Sequence, residues 1–442
     1  MGHQMSIDLP TGDTVPLFGL LVRQHRMRIG LTQRELADLS TVSVRAIRDL
    51  EQGRARRPRQ DTVRLIADGL RLGARARADL ESAAGEGRTS WAVKAGYEAD
   101  PPAPPFAIDV QLGREPETAV IVDELATGAE RLVTVVGIDG VGRTRLAIEV
   151  ATRMHAADRT PVLWCPVTGP TSGDRLSTLV RAAADQLLGD STHPADGTDA
   201  IAALVEIVAD RPPLLVLDGV REVAHPGRLV QLLRDCPGLR ILATAAFPLG
   251  VPGERHFLLN PLAVADEGEP FDAHAPAVRI FMERARRYRP DVDPDARETA
   301  LIAEICRRLD GIPQAIHAAA SWLVVYDIAT LHHCLHDGPS GLLHHLAGPD
   351  GGTSLRDALE RRLTTLPTAE RDLLDALCGQ GETFDLAEVM ALTGRSLPDS
   401  GRAVRALVLR GLVRPWYTGG QSRFRILHLV RAAQLCALDV RV

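Results

Sequence analysis

Lysine is nearly missing from this chain of 442 residues. Lys94 is the only one, and every other member of the 51 Lys+Arg residues is arginine. A position that ordinarily calls for an ammonium group can therefore hold arginine through compositional drift alone. Long apolar runs are missing too. No stretch of about 18 apolar residues occurs, so neither a transmembrane helix nor a membrane partner is expected. The first 16 residues lack the basic-then-apolar layout of a secretory signal and read as a disordered lead-in. Six cysteines, at positions 165, 236, 306, 334, 378 and 436, include no C-x-x-C pair. That spacing gives neither a zinc ribbon nor a disulfide framework. Reduced core thiols of a cytoplasmic protein are the expectation. With 45% hydrophobic and 24% charged residues, the composition suits a soluble globular chain of about three domains.

Charge is unevenly placed. Between Leu17 and Arg77 there are 14 arginines against 6 acidic residues, an excess of 8 positive charges in a chain of net charge −6. A basic N-terminal module on an acidic body points to a polyanion partner for that module alone.

The stretch Leu132–Met154 organises the body. A β-branched apolar run, Leu132-Val133-Thr134-Val135-Val136, enters a glycine turn, Gly137 to Thr144, and then a helical pattern from Arg145. This is the layout of a phosphate-binding loop, G-x-x-x-x-G-K-[ST], with Arg143 in the lysine place. Gly137, Gly140 and Gly142 let the backbone approach an anion, and the amides of the following helix face it. Arg143, Thr144 and Arg145 complete the candidate nucleotide site, with the Thr144 hydroxyl placed to hold Mg²⁺. A second apolar run, Pro213–Leu217, ends in Asp218, the carboxylate expected beside that ion. Further strands are expected at Pro161–Pro166 and Leu239–Thr244. Helices are expected at Ala119–Ala126, Arg175–Leu188, Ala200–Ala209 and Leu229–Arg234, giving an α/β parallel sheet.

The basic module reads as helices. Leu17–Arg28 is amphipathic. Thr32 with Glu35 forms a capping-box signature, and Ser43 caps a second short helix, Val44–Gln52. Leu36, Ala37, Val42, Ile47 and Leu50 fall where two short helices pack across a tight turn, a helix-turn-helix. Asp61–Leu72 and Ala74–Ala84 complete an all-α head. It resembles the phage-repressor-like (Xre-type) DNA-binding domains through Leu31-Thr32-Gln33, Glu35-Leu36-Ala37, Val42-Ser43, Ile47 and Leu50 to Gly53. The resemblance implies that the helix after Ser43 enters the major groove of double-stranded DNA. Arg45, Ala46 and Arg48 are then the base-reading candidates. Gln33, Ser43, Arg54, Arg56, Arg57 and Arg59 are the phosphate-contact candidates. Family members usually carry glycine in the turn. Ser40-Thr41 stands here, and threonine fits φ > 0 poorly.

Downstream, Pro101–Pro105 marks a stiff linker. From Ala275 the pattern is helical, at Ala277–Tyr288, Glu298–Leu309 and Pro313–Val325, with a Gly311-Ile312-Pro313 turn. The histidines between Leu331 and Leu346 match no zinc spacing and have no supporting carboxylate, so no structural metal is expected. Helices at Ser354–Leu366, Ala369–Leu377, Leu386–Leu392 and Gly401–Arg410 precede a hairpin, Leu412–Trp416 with Arg423–Leu427. A last helix is expected at His428–Leu438. This is a winged-helix pattern. The fold class is therefore multidomain. The expected parts are a head at 17–85, a linker at 86–111, a P-loop NTPase sheet at 112–262, a helical subdomain at 263–347 and a winged helix at 348–442.

That order, carried by Leu112 to Glu115, Gly137–Thr144, Leu214–Asp218, Gly311 to Pro313 and Arg423–Arg431, resembles the NB-ARC branch of the STAND signalling ATPases. The resemblance implies ATP or ADP with Mg²⁺ as cofactor, Arg114 and Pro313 as further nucleotide contacts, and homo-oligomers as the active form. It also marks departures. Arg143 replaces lysine, Gly219 and Ala246 replace polar residues near the γ-phosphate, and Leu427 replaces the histidine that faces ADP. Two readings follow. One is a DNA-binding regulator whose body is a non-hydrolysing nucleotide sensor or scaffold. The other is an active ATPase switch.

Overall fold

The computed structural model describes residues 17–29, 31–52, 54–55, 58–73, 76–77, 80, 84, 97, 100–107, 109–167, 211–220, 226–264, 272–346, 354–418 and 421–439. The expected disordered lead-in, the helices at 175–188 and 200–209, and most of 74–84 lie outside these residues. The described residues divide into two compact units, a head up to Asp100 and a body from Pro101.

In the head, α1 (Leu17–Arg28), α2 (Gln33–Ser40), α3 (Val44–Glu51) and α4 (Gln60–Gly69) surround a small core. Phe18, Val22, Leu36, Ile47, Leu50 and Ile66 are buried in it. Capping decides where the helices start. Thr32 and Glu35 form the reciprocal capping box of α2, and Ser43 accepts the Ala46 amide at the start of α3. Between them Thr41 holds φ 54° and ψ 23°, the left-handed turn in which a β-branched residue is strained. The fourth helix ends at Gly69, short of Leu72, because Arg71 turns to φ 49°. Helix α1 crosses the end of α3 closely. A Cβ added at Gly19 would come 2.1 Å from the Leu50 carbonyl oxygen.

The body opens with Pro101, which is buried, and the Pro102 carbonyl accepts the Val162 amide at 2.8 Å. The proline stretch is therefore attached to the body, where a linker was expected. Helix α5 (Glu115–Thr127) starts a turn earlier than its apolar pattern because Pro116 stands in its first turn. Then come β1 (Leu132–Val136), α6 (Arg143–Asp158), β2 (Val162–Pro166), β3 (Leu214–Val220), α7 (Pro226–Asp235), β4 (Arg240–Ala245) and β5 (Arg255–Leu258). The sheet order is β2-β3-β4-β1-β5 and every pairing is parallel. Strand β5 was not expected. Arg255, His256, Phe257 and Leu258 are each half-buried at the sheet edge, so no continuous apolar run marks them. Strand β3 runs on past Asp218 through a bulge at Gly219, which takes φ +82°.

The helical part follows as α8 (Pro276–Tyr288), α9 (Ala296–Arg308) and α10 (Pro313–Ser321), with a short 3₁₀ turn at Trp322–Val324. Next are α11 (Ile328–His336) and α12 (Gly338–His344), split where Asp337 ends one helix and Pro339 opens the other. The last segment holds α13 (Leu355–Thr364), α14 (Thr368–Cys378), β6 (Thr383–Phe384), α15 (Leu386–Thr393) and α16 (Leu397–Leu409). It closes with β7 (Val413–Thr418), β8 (Gln421–Ile426) and α17 (His428–Asp439). Helix α16 begins four residues before its expected start because Ser396 caps it and Pro398 opens it. Strand β6, too short to leave a pattern, pairs with β8 and widens the expected hairpin to three strands. One continuous hydrophobic core runs from Ile121 through Phe281 and Leu359 to Ala433, across all three expected body segments.

Gly19→Ala sets helix propensity against packing. Alanine favours the helix by about 1 kcal/mol, but the clash is with backbone oxygen and cannot be relieved by a rotamer. Overpacking should win, with a net loss of about 1–3 kcal/mol in the head. Faster amide hydrogen exchange in α1 and α3 of the full chain would report it, and unchanged or slower exchange would refute the close crossing.

Candidate functional sites

The phosphate loop sits between β1 and α6. Gly140 and Gly142 take φ +79° and +101°, and no side chain caps α6. The amides of Arg143, Thr144 and Arg145 occupy the first turn, where no intrahelical carbonyl is available. At the far side of the sheet strand β4 separates β1 from β3, yet the loop reaches across it. The Thr144 hydroxyl donates to Asp218 Oδ1 at 2.8 Å. Thr244 on β4, with 1% of its surface exposed, donates to the same oxygen at 2.7 Å and accepts the Gly219 amide at 2.8 Å. Two hydroxyls thus hold one carboxylate. Thr244 escaped the sequence reading because its partner lies 26 residues away on a neighbouring strand.

Arg143 turns back on its own loop. Its guanidinium donates to the carbonyls of Gly137 and Ile138 and pairs with Asp139 Oδ1 at 3.1 Å. Asp139 Oδ2 pairs with Arg362 Nη1 at 2.9 Å. Arg362, on α13, also donates to the carbonyls of Gly137 at 3.0 Å, Ala246 at 2.5 Å and Arg410 at 2.6 Å. Burial lowers the Arg362 pKa, and Asp139 opposes that fall. Burial alone would raise Asp139, but Arg362 and Arg143 outweigh it and hold the carboxyl below its usual range. Neither Asp139 nor Arg362 carried a sequence signal.

Other segments seat on the same loop. The Gln314 amide, next to Pro313, donates to the Gly140 carbonyl at 3.2 Å. A Cβ at Gly411, in the turn between α16 and β7, would stand 2.6 Å from the Ile138 nitrogen. Arg114 is buried, pairs with Glu117 at 2.9 Å and reaches the Val141 carbonyl at 3.4 Å. Burial lowers its pKa, with Glu117 opposing. For a nucleotide with Mg²⁺, the free first-turn amides and the hydroxyl–carboxylate pair are suitable donors, since Mg²⁺ takes hard oxygen ligands. The Arg143 guanidinium is instead committed to the loop.

The turn before α10 carries a second buried cluster. Asp310, at φ 57°, accepts the amides of His428 at 2.9 Å and Leu429 at 2.9 Å, and lies 2.8 Å from His428 Nδ1. It thereby caps α17 from 118 residues away. In the histidine-rich stretch, His332 Nε2 lies 2.6 Å from Glu304 Oε2. The expected lack of a carboxylate there is corrected: it comes from α9.

In the head, α3 presents Arg45 and Arg48 to solvent, and Arg45 has 92% of its side chain exposed. Val44, Arg45, Arg48, Asp49 and Arg54 line an open groove. Arg54 pairs with Asp49 at 2.8 Å, and Arg45 lies 3.8 Å from the same carboxylate. Ser43 and Arg59 are exposed, at the starts of α3 and α4, and Ala46 is half-buried. Gln33 turns inward. Its amide donates to Glu51 Oε2 at 2.8 Å, and Arg26 binds Glu51 through two nitrogens at 2.6 and 2.9 Å. Arg56 and Arg57 lie outside the described residues. The sequence did hold a clue to Glu51, which continues the apolar stripe of Ile47 and Leu50.

A family profile for a helix-turn-helix domain matches residues 17–80. A candidate HTH-type transcriptional regulator of Mycobacterium tuberculosis is 32% identical over 312 residues, covering 68% of this chain and 33% of that protein. An uncharacterized protein of the same organism is 36% identical over 195 residues, covering 43% of this chain and 46% of its own length. The chain thus spans about a third to a half of the length of these curated relatives. Among solved structures, a signal-transduction ATPase with numerous domains and a tetratricopeptide-repeat sensor, from Pyrococcus horikoshii, aligns with 75% of this chain and 43% of its own. The sequence identity there is 16% and the TM-score 0.33. The chain joins a helix-turn-helix head to a P-loop-like α/β body.

The His428–Asp310 contact should make the docking of α17 pH-dependent. Burial pulls the imidazole pKa down, but the hydrogen bond to Asp310 and the charges of Asp310 and Glu382 raise it further, and the net shift is upward. A raised folded-state pKa gives stabilisation that is complete below about pH 6.5 and lost as pH rises through the folded value. Amide exchange in α17, corrected for its intrinsic pH dependence, should be slower at pH 6 than at pH 8.5. Asp310→Asn should abolish most of that difference; an equal difference in both proteins would refute the assignment.

Proposed function

We propose that this protein is a sequence-specific DNA-binding transcriptional regulator whose body senses a nucleotide, or serves as a scaffold, without efficient hydrolysis. The observation that carries the reading is the exposed arginine face of α3. A capped short helix offers Arg45 and Arg48 at its first turns, where side chains reach base edges in a major groove. Ser43, Arg54 and Arg59 flank it at places suited to phosphates. The excess of positive charge is confined to the head, so contact with DNA should be confined there too. The name of the mycobacterial relative agrees with this role. One small head binds modestly, so a homo-oligomer reading repeated half-sites is part of the proposal. The last segment, four helices with a three-stranded sheet and α17, is read as a winged helix that regulates the body.

An adenine nucleotide with Mg²⁺ is the proposed ligand of the loop, held by the amides of Arg143 to Arg145, Thr144 and Asp218. The ion would neutralise phosphate charge there. Gly219 and Ala246 offer no side chain to orient water, which favours sensing over turnover. The active-ATPase reading keeps one specific support, the intact Thr144–Asp218 contact.

Binding-site selection with the full chain should enrich a defined duplex sequence. Arg45→Ala or Arg48→Ala should cost about 1–3 kcal/mol and relax one position of the site. Failure to enrich any sequence would end the regulator reading.

Phosphate release from ATP should stay at background, while calorimetry detects weak ADP binding that Thr144→Ala reduces in the presence of Mg²⁺. Turnover abolished by Asp218→Asn would establish the ATPase reading instead.

A further inference from the structure

We propose that Asp139 is a built-in competitor for the phosphate of a bound nucleotide, and that Arg362 carries the outcome of that competition to the C-terminal segment. The inference rests on the nucleotide-sensing reading above and adds its regulation.

Two guanidinium groups converge on one carboxylate. Asp139 gives Oδ1 to Arg143 and Oδ2 to Arg362, at 3.1 and 2.9 Å. Both arginines also donate to the carbonyl of Gly137. Two cations held this close repel unless an anion lies with them. Asp139 is the carboxylate paired with both. The remaining acceptors of Arg362 are neutral carbonyls, at the ends of β4 and α16. Arg362 has 7% of its side chain exposed, so water cannot replace that neutralisation.

Arg143 stands in the phosphate loop and supplies one of its first-turn amides. Here its charge is spent on Asp139 and on loop carbonyls. An arriving phosphate carries more charge than a carboxylate and competes for the same guanidinium. If Arg143 turns to the phosphate, Asp139 is left to Arg362 alone and that pair strengthens. Binding at the loop then tightens the attachment of α13 to the sheet. The coupling must be reciprocal: weakening the Arg362 pair leaves Asp139 more firmly on Arg143 and lowers phosphate affinity.

The test uses the full chain, ADP with Mg²⁺ as probe, calorimetry, and hydrogen exchange of α13 and α17. Asp139→Asn should tighten ADP binding about tenfold, within the range typical of coupling between sites. Adding Arg143→Gln should cancel that gain. Arg362→Lys should weaken ADP binding when Asp139 is present and change it little in the Asp139→Asn background, a non-additivity that simple charge loss would not give. Should Asp139→Asn fail to fold, the wild type still decides: ADP should slow exchange in α13 and α17. ADP bound by the wild type with no change in α13, or bound equally or more weakly by folded Asp139→Asn, overturns the proposal and leaves nucleotide sensing intact. No ADP binding by either protein at millimolar concentration overturns both.

Discussion

A guanidinium removed from water must find acceptors for its N–H groups, and Arg362 finds them in three places at once. Its partners belong to the phosphate loop, the end of β4 and the end of α16. Each segment can shift only if the charge loses a partner, and a hydrogen bond to a charged group is worth about 1.5–3 kcal/mol. This ties the C-terminal helices to the phosphate loop and to the end of β4. The close approach of Gly411 to the loop backbone follows from the same constraint. Arg410, the residue before it, supplies a carbonyl to Arg362.

The sheet carries a second, smaller constraint of similar kind. Asp218 cannot swing freely, because hydroxyls from α6 and β4 hold the same oxygen. The bulge at Gly219 turns that residue's amide onto Thr244. Glycine here is thus explained by backbone geometry, since φ +82° suits few other residues. A missing acidic neighbour and a required bulge are the same substitution seen from two sides. The body keeps the apparatus that positions a carboxylate, and positions 219 and 246 carry no polar side chain.

Much of this was legible in the sequence where the signal is local. Strands β1 to β4 stood out as apolar runs, the loop as spaced glycines, and α2 and α3 as capping residues before short amphipathic stretches. Thr41 was legible as a threonine where the turn calls for positive φ. What escaped depends on partners distant in the chain. Asp139 looked like any loop residue until Arg362 met it. Thr244 looked like a strand residue until Asp218 faced it, and Asp310 like part of a turn until it capped α17. Gln33 shows the converse. Its place suits a phosphate contact, and a buried glutamate 18 residues on accepts its amide, a partner that no local pattern marks. Strands β5 and β6 failed for a third reason, being too polar or too short for periodicity to register.

The span between Gly137 and Arg362 also bears on how the chain is made. Their hydrogen bond joins residues 225 apart. At ribosomal speeds of about 5–20 residues per second, that separation amounts to roughly 10–45 s of synthesis. Strands β1, β3 and β4 can pair well before then, since β4 ends at Ala245. The nascent sheet therefore waits without the Arg362 donor to the Gly137 carbonyl. Contacts of such long range form late and slowly. The loop thus acquires its Arg362 partner only after the strands that flank it have been made.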